Sequence, residues 1–244
     1  MFRTADPQPA RGLLWTDAKV ASSGRSGSLL VGLLSFLIAA LTVVGGALPA
    51  FAANANTFFG RNLVVNGNAE ANVGSDDETV VVKPSGWQTS GQFGVFKYGG
   101  IFGFPDRSVP GPADRGKNFF TGGDAAISTA TQTIDLAPIA STVDAGNVRY
   151  NLAAWLGGYD AQSDYATVAA VFLGGPARAL GSARIGPVTT ADRSERTSFV
   201  PRAQSGSVPA GTRAVRVVLT AKRVVGTSND GYIDDVSLVL SRRS

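Results

Sequence analysis

The sequence predicts an all-β fold, a β-sandwich of jelly-roll type with about eight to ten strands that follows an N-terminal export segment. Three observations predict it. Past Ala53 the chain is a series of short runs rich in β-branched and aromatic residues, those runs are separated by Gly, Pro, Asn and Asp, and no apolar stripe of helical periodicity reaches helical length. In order, the runs are "NLVVN" (62–66), "QFGVFKY" (92–98), "NFFTG" (118–122), "ISTATQTIDL" (127–136), "RYNLAAWLGGY" (149–159), "YATVAAVFL" (165–173), "ERTSFV" (195–200), "RAVRVVLTAKRV" (213–224) and "YIDDVSLVL" (232–240). A Gly/Pro-rich loop is expected at about 99–117.

The export segment comes first. Residues 29–53 carry no charge, and Arg3, Arg11, Lys19 and Arg25 outweigh Asp6 and Asp17 ahead of them. A basic stretch, an apolar stretch, a break at Gly45, Gly46 and Pro49, and a small-x-small end at Ala50–Ala52 make a secretory signal with a long basic region over 1–52. Cleavage is expected after Ala52, leaving one domain over 53–244 and a secreted or cell-envelope destination. The apolar run is long enough to span a membrane, so an uncleaved anchor is the alternative. The helix-breaking residues beside the cleavage site favour removal and no lasting membrane insertion.

Composition narrows the chemistry. The segment 1–52 takes four of the 22 basic and two of the 18 acidic side chains, which leaves a near-neutral remainder with no basic cluster to meet nucleic acid. There is no cysteine and no histidine. Disulfides, histidine-based triads and the usual zinc ligand sets are therefore excluded, and any catalysis would fall to carboxylates or a lysine. Asp160, Asp164 and Glu195 could supply a hydrolase acid pair, but surface aspartates in β-loops are common. No enzyme activity is expected.

Alternation assigns the faces of the two longest strands. In 149–159 the core face is Tyr150, Leu152, Ala154 and Leu156, with Trp155 opposite; in 213–224 it is Val215, Val217, Leu219 and Ala221. The terminal run sets a puzzle, because Asp234 and Asp235 are adjacent in a strand. At least one of them should face a packed side, where a carboxylate needs a partner.

The two ends, "NLVVNGNAE" (62–70) followed by Trp87, and "VPAGTRAVRVVL" (208–219) with "NDGYIDDVSLVL" (229–240), resemble the galactose-binding-like jelly rolls used as carbohydrate-binding modules in secreted bacterial proteins. The resemblance spans 62–240 and departs at Ala69, where an aromatic is usual. It implies a structural calcium between the opening loop and the last strand, held by Glu70 and by Asp234 or Asp235 with backbone carbonyls near Asn66–Asn68. Oxygen-only ligands of this kind suit calcium. The alternative is that the aspartates accept backbone N–H groups or pair with an arginine such as Arg61.

Sugars are gripped by aromatic faces and by nearby amide and carboxylate groups. Trp155, Tyr159, Gln162 and Asp164 are the candidate ligand-binding residues, the first on the non-core face and the others in the "GGYDAQSDY" stretch. Trp87, after Gly86, is expected in the core. The expected function is a secreted, non-catalytic module that binds polysaccharide or a surface glycan, with a structural or adhesive envelope protein as the alternative.

Overall fold

A computed structural model describes residues 55–101, 103–175 and 178–243. The expected export segment with its cleavage site, Phe102 and Pro176 lie outside the described residues. Ten strands are present: β1 Gln88–Ser90, β2 Gly94–Lys97, β3 Asn118–Thr121, β4 Ile127–Asp135, β5 Val148–Gly158, β6 Tyr165–Leu173, β7 Ala179–Ile185, β8 Ser198–Ser207, β9 Ala214–Lys222 and β10 Tyr232–Arg242. They form two antiparallel five-stranded sheets, ordered β1-β4-β9-β6-β7 and β2-β3-β10-β5-β8. This is the predicted β-sandwich. Among the described residues no helix is long and apolar enough to cross a membrane.

The interior is built by strand alternation. Tyr150, Leu152, Ala154 and Leu156 of β5 face Val215, Val217, Leu219 and Ala221 of β9 in one buried cluster, with Ile233, Leu238 and Leu240 of β10 in the same core. Both predicted core faces are correct. Trp87 packs against this cluster, its ring edge-on to Phe120 at 6.2 Å and its Nε1 donating to the carbonyl of Asn66.

Three elements differ from expectation. The run 62–66 is not a strand but an isolated bridge, Asn62 to Val239, followed by a turn. The Asn62 side chain stands in for a ladder: its Oδ1 accepts the N–H groups of Val64 and Leu238, and its Nδ2 donates to the carbonyl of Val236. β1 and β7 were not expected. Each is an edge strand, paired on one side only, so neither needs the two-faced apolar pattern that marks a central strand. A single helical turn, α1 Ala140–Asp144, precedes β5.

β10 is also not a regular strand at its aspartates. Asp234 stands opposite Trp155 and Ser237 opposite Ala153, so the register shifts between them, with Asp235 at φ +46°. This bulge changes the alternation. Ile233, Val236, Leu238 and Leu240 point inward, and Asp234 shares the outer face of the sheet with Tyr232.

Candidate functional site

The outer face of the β10 sheet is closed by rings. Phe96 of β2, Phe119 of β3, Tyr232 of β10 and Phe199 of β8 form a second buried cluster, with Tyr98, Phe104, Val109, Trp155 and Tyr159 partly buried around it. Phe119 is the hub, its centroid 5.0 Å from Tyr98, 5.2 Å from Tyr232, 5.9 Å from Phe104 and 6.0 Å from Phe199. Gly157 lies between Tyr232 and Phe199 in the register, and a Cβ there would stand 2.4 Å from the carbonyl oxygen of Ser198. Only glycine admits that approach.

The loop 98–117 covers these rings and is tied by arginines. Buried Arg115 donates from Nε to the Pro112 carbonyl at 2.9 Å, from Nη2 to Val109 at 2.8 Å and from Nη1 to Asp106 at 3.4 Å, and its guanidinium lies 5.3 Å from the Tyr98 ring centroid. Arg107 donates to the carbonyls of Gly116 and Arg115. Two guanidinium groups thus satisfy carbonyls that a loop cannot pair with itself.

Beside this covered region lies an open groove of about 650 Å³, whose wall includes Asn68, Asp114, Trp155, Arg202, Asp235 and Ser237. Arg202 is held by Asp192 at 2.8 Å. The side chains of Asp114, Asp235 and Ser237 and the indole N–H of Trp155 make no hydrogen bond to another described residue. The groove therefore pairs an aromatic surface with open hydrogen-bonding groups, the combination that holds a hydroxylated ring.

Carboxylates gather at the groove's end. Asp234 is fully buried; its Oδ2 accepts the Tyr98 hydroxyl at 2.6 Å and its Oδ1 accepts the N–H of Asp235 at 2.8 Å. Burial pushes its carboxyl up to about 8, the Tyr98 hydrogen bond opposing and the charges of Asp235 and Glu70 adding to the rise. Burial also raises Asp235, helped by Asp114 and Glu70 and opposed by Arg115. Glu70 Oε1 accepts the N–H groups of Lys117 and Asn118 at 2.7 and 2.8 Å. Gly116 makes that seat, since a Cβ there would fall 2.2 Å from the Glu70 carboxyl carbon.

This donor set suits a hard cation in chemistry, being all oxygen. Among the described residues no three carboxylates converge closely enough to hold an ion by side chains alone. An ion here would draw on one or two of them, Glu70 and Asp235 first, and on backbone carbonyls.

The predicted ligand residues do not form one platform. Trp155 lines the groove, whereas Tyr159 and Gln162 line a separate cavity of about 310 Å³ with Glu78, Ser228 and Asp230. Asp164 is 1% exposed and accepts the N–H groups of Val224 and Val225 on Oδ1 and of Asp230 on Oδ2. It anchors a loop and is sealed from any ligand, so it cannot supply half of an acid pair. Sequence reasoning missed Asp114, Arg202, Glu78 and Asp230, which reach their sites only through contacts distant in sequence.

No known family matches the chain, and no curated protein matches it. Among solved structures it is similar to the enzymatically active domain of tailspike protein 4 of bacteriophage CBA120, with 17% identity over 74% of this chain and a TM-score of 0.44, and it spans only 21% of that chain. It is similar to a family 16 carbohydrate-binding module, with 19% identity, 73% of this chain and 99% of that chain covered, and a TM-score of 0.42. A third is the xylan-binding module of Xyn10C from Paenibacillus barcinonensis, with 12% identity, 68% and 92% coverage, and a TM-score of 0.38.

Proposed function

We propose that the protein is an exported, non-catalytic module that binds a polysaccharide or surface glycan in the Trp155 groove. The observation that supports this reading is that Trp155 lines a groove of about 650 Å³ beside open hydrogen-bonding groups on Asp114, Asp235 and Ser237. An aromatic face takes the apolar side of a pyranose, and the polar groups take its hydroxyls. Export rests on the sequence of 1–52.

The absence of catalysis is supported by what the carboxylates already do. Asp234 and Asp164 are buried and hydrogen-bonded, and Glu70 is turned onto two backbone N–H groups. The acid pair of a glycosidase must reach both sides of a glycosidic bond, and these three cannot, which leaves Asp114 and Asp235 as the groove carboxylates that the turnover assay tests. A structural calcium belongs to the same proposal. Glu70 and Asp235, with backbone carbonyls of 66–68, would hold it, and when bound it supplies positive charge and a cross-link between the first segment and β10.

The test is binding and turnover on one polysaccharide panel. The proposal expects retention on at least one insoluble or immobilised glycan with no release of reducing ends. Turnover that one Asp or Glu substitution abolishes would replace this reading with a carboxylate hydrolase or lyase; no retention on any glycan would leave an adhesive role through protein contacts.

A further inference from the structure

The cavity that holds Tyr159 and Gln162 is separate from the Trp155 groove and has a different chemistry. Its wall is Glu78, Tyr159, Gln162, Ser228 and Asp230 with the backbone of 226–227, and its volume of about 310 Å³ is at the small end of ligand sites. The wall presents acceptors. Glu78 Oε2 accepts the Ser228 hydroxyl at 2.8 Å, and Asp230 Oδ1 accepts the Tyr232 hydroxyl at 2.8 Å, which leaves the second oxygen of each carboxylate open. Gln162 Oε1 is buried without a hydrogen-bond partner and lies 4.0 Å from the Cβ position of Gly226, which itself lines the cavity.

The arginines nearby spend their Nη groups on backbone carbonyls, while Arg193 Nε is buried without a partner. Arg193 Nη1 donates to the carbonyls of Gly158, Asp160 and Arg196, and its Nη2 to Gln162. Arg223 donates to the carbonyls of Asp124 and Thr227. Among the described residues the ion pairs are Lys97 with Asp76, Arg202 with Asp192 and Arg213 with Asp144, so neither Glu78 nor Asp230 has a basic partner.

We propose that this cavity is a second binding site, for a primary ammonium group carried by a ligand of monosaccharide size, an amino sugar. Glu78 and Asp230 each offer an open carboxylate oxygen and Gln162 a buried, unpaired Oε1, three acceptors for the three N–H donors of an ammonium, and Tyr159 adds a cation–π surface. A divalent metal fits less well, since no three carboxylates among the described residues converge on one point. Burial pushes the Asp230 carboxyl up to about 6; Tyr232 and Arg193 oppose the rise, and Asp164 and Glu78 add to it.

Titration calorimetry of the protein with glucosamine and with N-acetylglucosamine tests this. Glucosamine is expected to bind at least about tenfold more tightly, because acetylation removes the charge and two donors. Glu78→Gln should remove about tenfold of that preference. It is the deciding variant, because the side-chain bond of Glu78 is to Ser228 alone. Trp155→Ala should leave the preference intact, which separates this site from the groove. No glucosamine binding, equal binding of the two sugars, an unchanged preference in Glu78→Gln, or tighter binding of Nα-acetyl-lysine amide, which keeps its side-chain ammonium, than of glucosamine each overturns the assignment.

Discussion

The interior between the two sheets and the outer face of the β10 sheet are both packed, but with different side chains. The interior is mainly aliphatic, with Val215, Val217, Leu219 and Ala221 against Leu152, Ala154 and Leu156, and both walls are strands whose backbone is already paired. The outer face is aromatic, with Phe96, Phe119, Phe199 and Tyr232 under a loop whose carbonyls need Arg107 and Arg115. Covering a sheet with a loop rather than with a second sheet brings polar and charged groups into the packing. Asp234, Arg115 and Trp155 sit on that side, so the chemistry gathers where the fold is least regular.

The comparison breaks first at Phe119. If the outer cluster is a second core, Phe119→Ala should cost about 3–5 kcal/mol of unfolding free energy, as much as Leu219→Ala in the interior at about 2–5 kcal/mol. Denaturant melts of the two variants decide it. A cost below about 1 kcal/mol for Phe119→Ala would make the loop and rings a loose cover rather than a core.

Calcium comes next in size. A site that binds only the folded state adds about 2.7 kcal/mol at 100 times its dissociation constant, and each kcal/mol moves the midpoint of a domain this size by roughly 2–4 °C. Chelation is therefore expected to lower the melting midpoint by about 5–10 °C, with calcium restoring it. Asp235→Asn and Glu70→Gln should shrink this response and Asp160→Asn should not. Identical melts in chelator and in calcium would leave the outer carboxylates to protons and hydrogen bonds.

Binding at the groove rim is smaller again. Trp155→Ala should weaken affinity for a cognate glycan by about 1–3 kcal/mol, the range of an interface anchor. The rest of the cluster should still fold. If the variant instead melts like Phe119→Ala, Trp155 belongs to the outer core and the ligand surface lies elsewhere.

What the sequence disclosed follows the same division. The interior was legible because alternation in 149–159 and 213–224 is a local signal, and eight of the nine predicted runs are strands. The ninth, 62–66, has strand-like composition, but Asn62 bonds with its side chain where a strand would use its backbone. β7, with Gly181 and Ser182, hid behind the weak pattern an edge strand is free to have. The outer site was only partly legible. Trp155 could be placed on the non-core face, but the bulge at Asp234–Ser237 and the meeting of Asp114 and Arg202 with the groove depend on the fold of the whole chain.

The smallest expected effect concerns the proton on Asp234. Its carboxyl titrates at about 8 in the fold against an ordinary value of 3.8, so between those limits the native state binds a proton that the unfolded chain does not. Stability is then highest below about pH 4 for this group and falls as pH rises towards 8. Because interior dipoles and water relax around such a charge, the loss between pH 5 and pH 8 is expected on the order of 1 kcal/mol rather than the full linkage value. In chelator, denaturant melts at the two pH values should show that loss, and Asp234→Asn, which keeps the shape without the titration, should flatten it. Calcium should flatten it too, because a cation beside Glu70 and Asp235 offsets the same repulsion that the proton relieves. An equal slope in Asp234→Asn would move the titration to another group, and a slope untouched by calcium would separate Asp234 from any ion at Glu70.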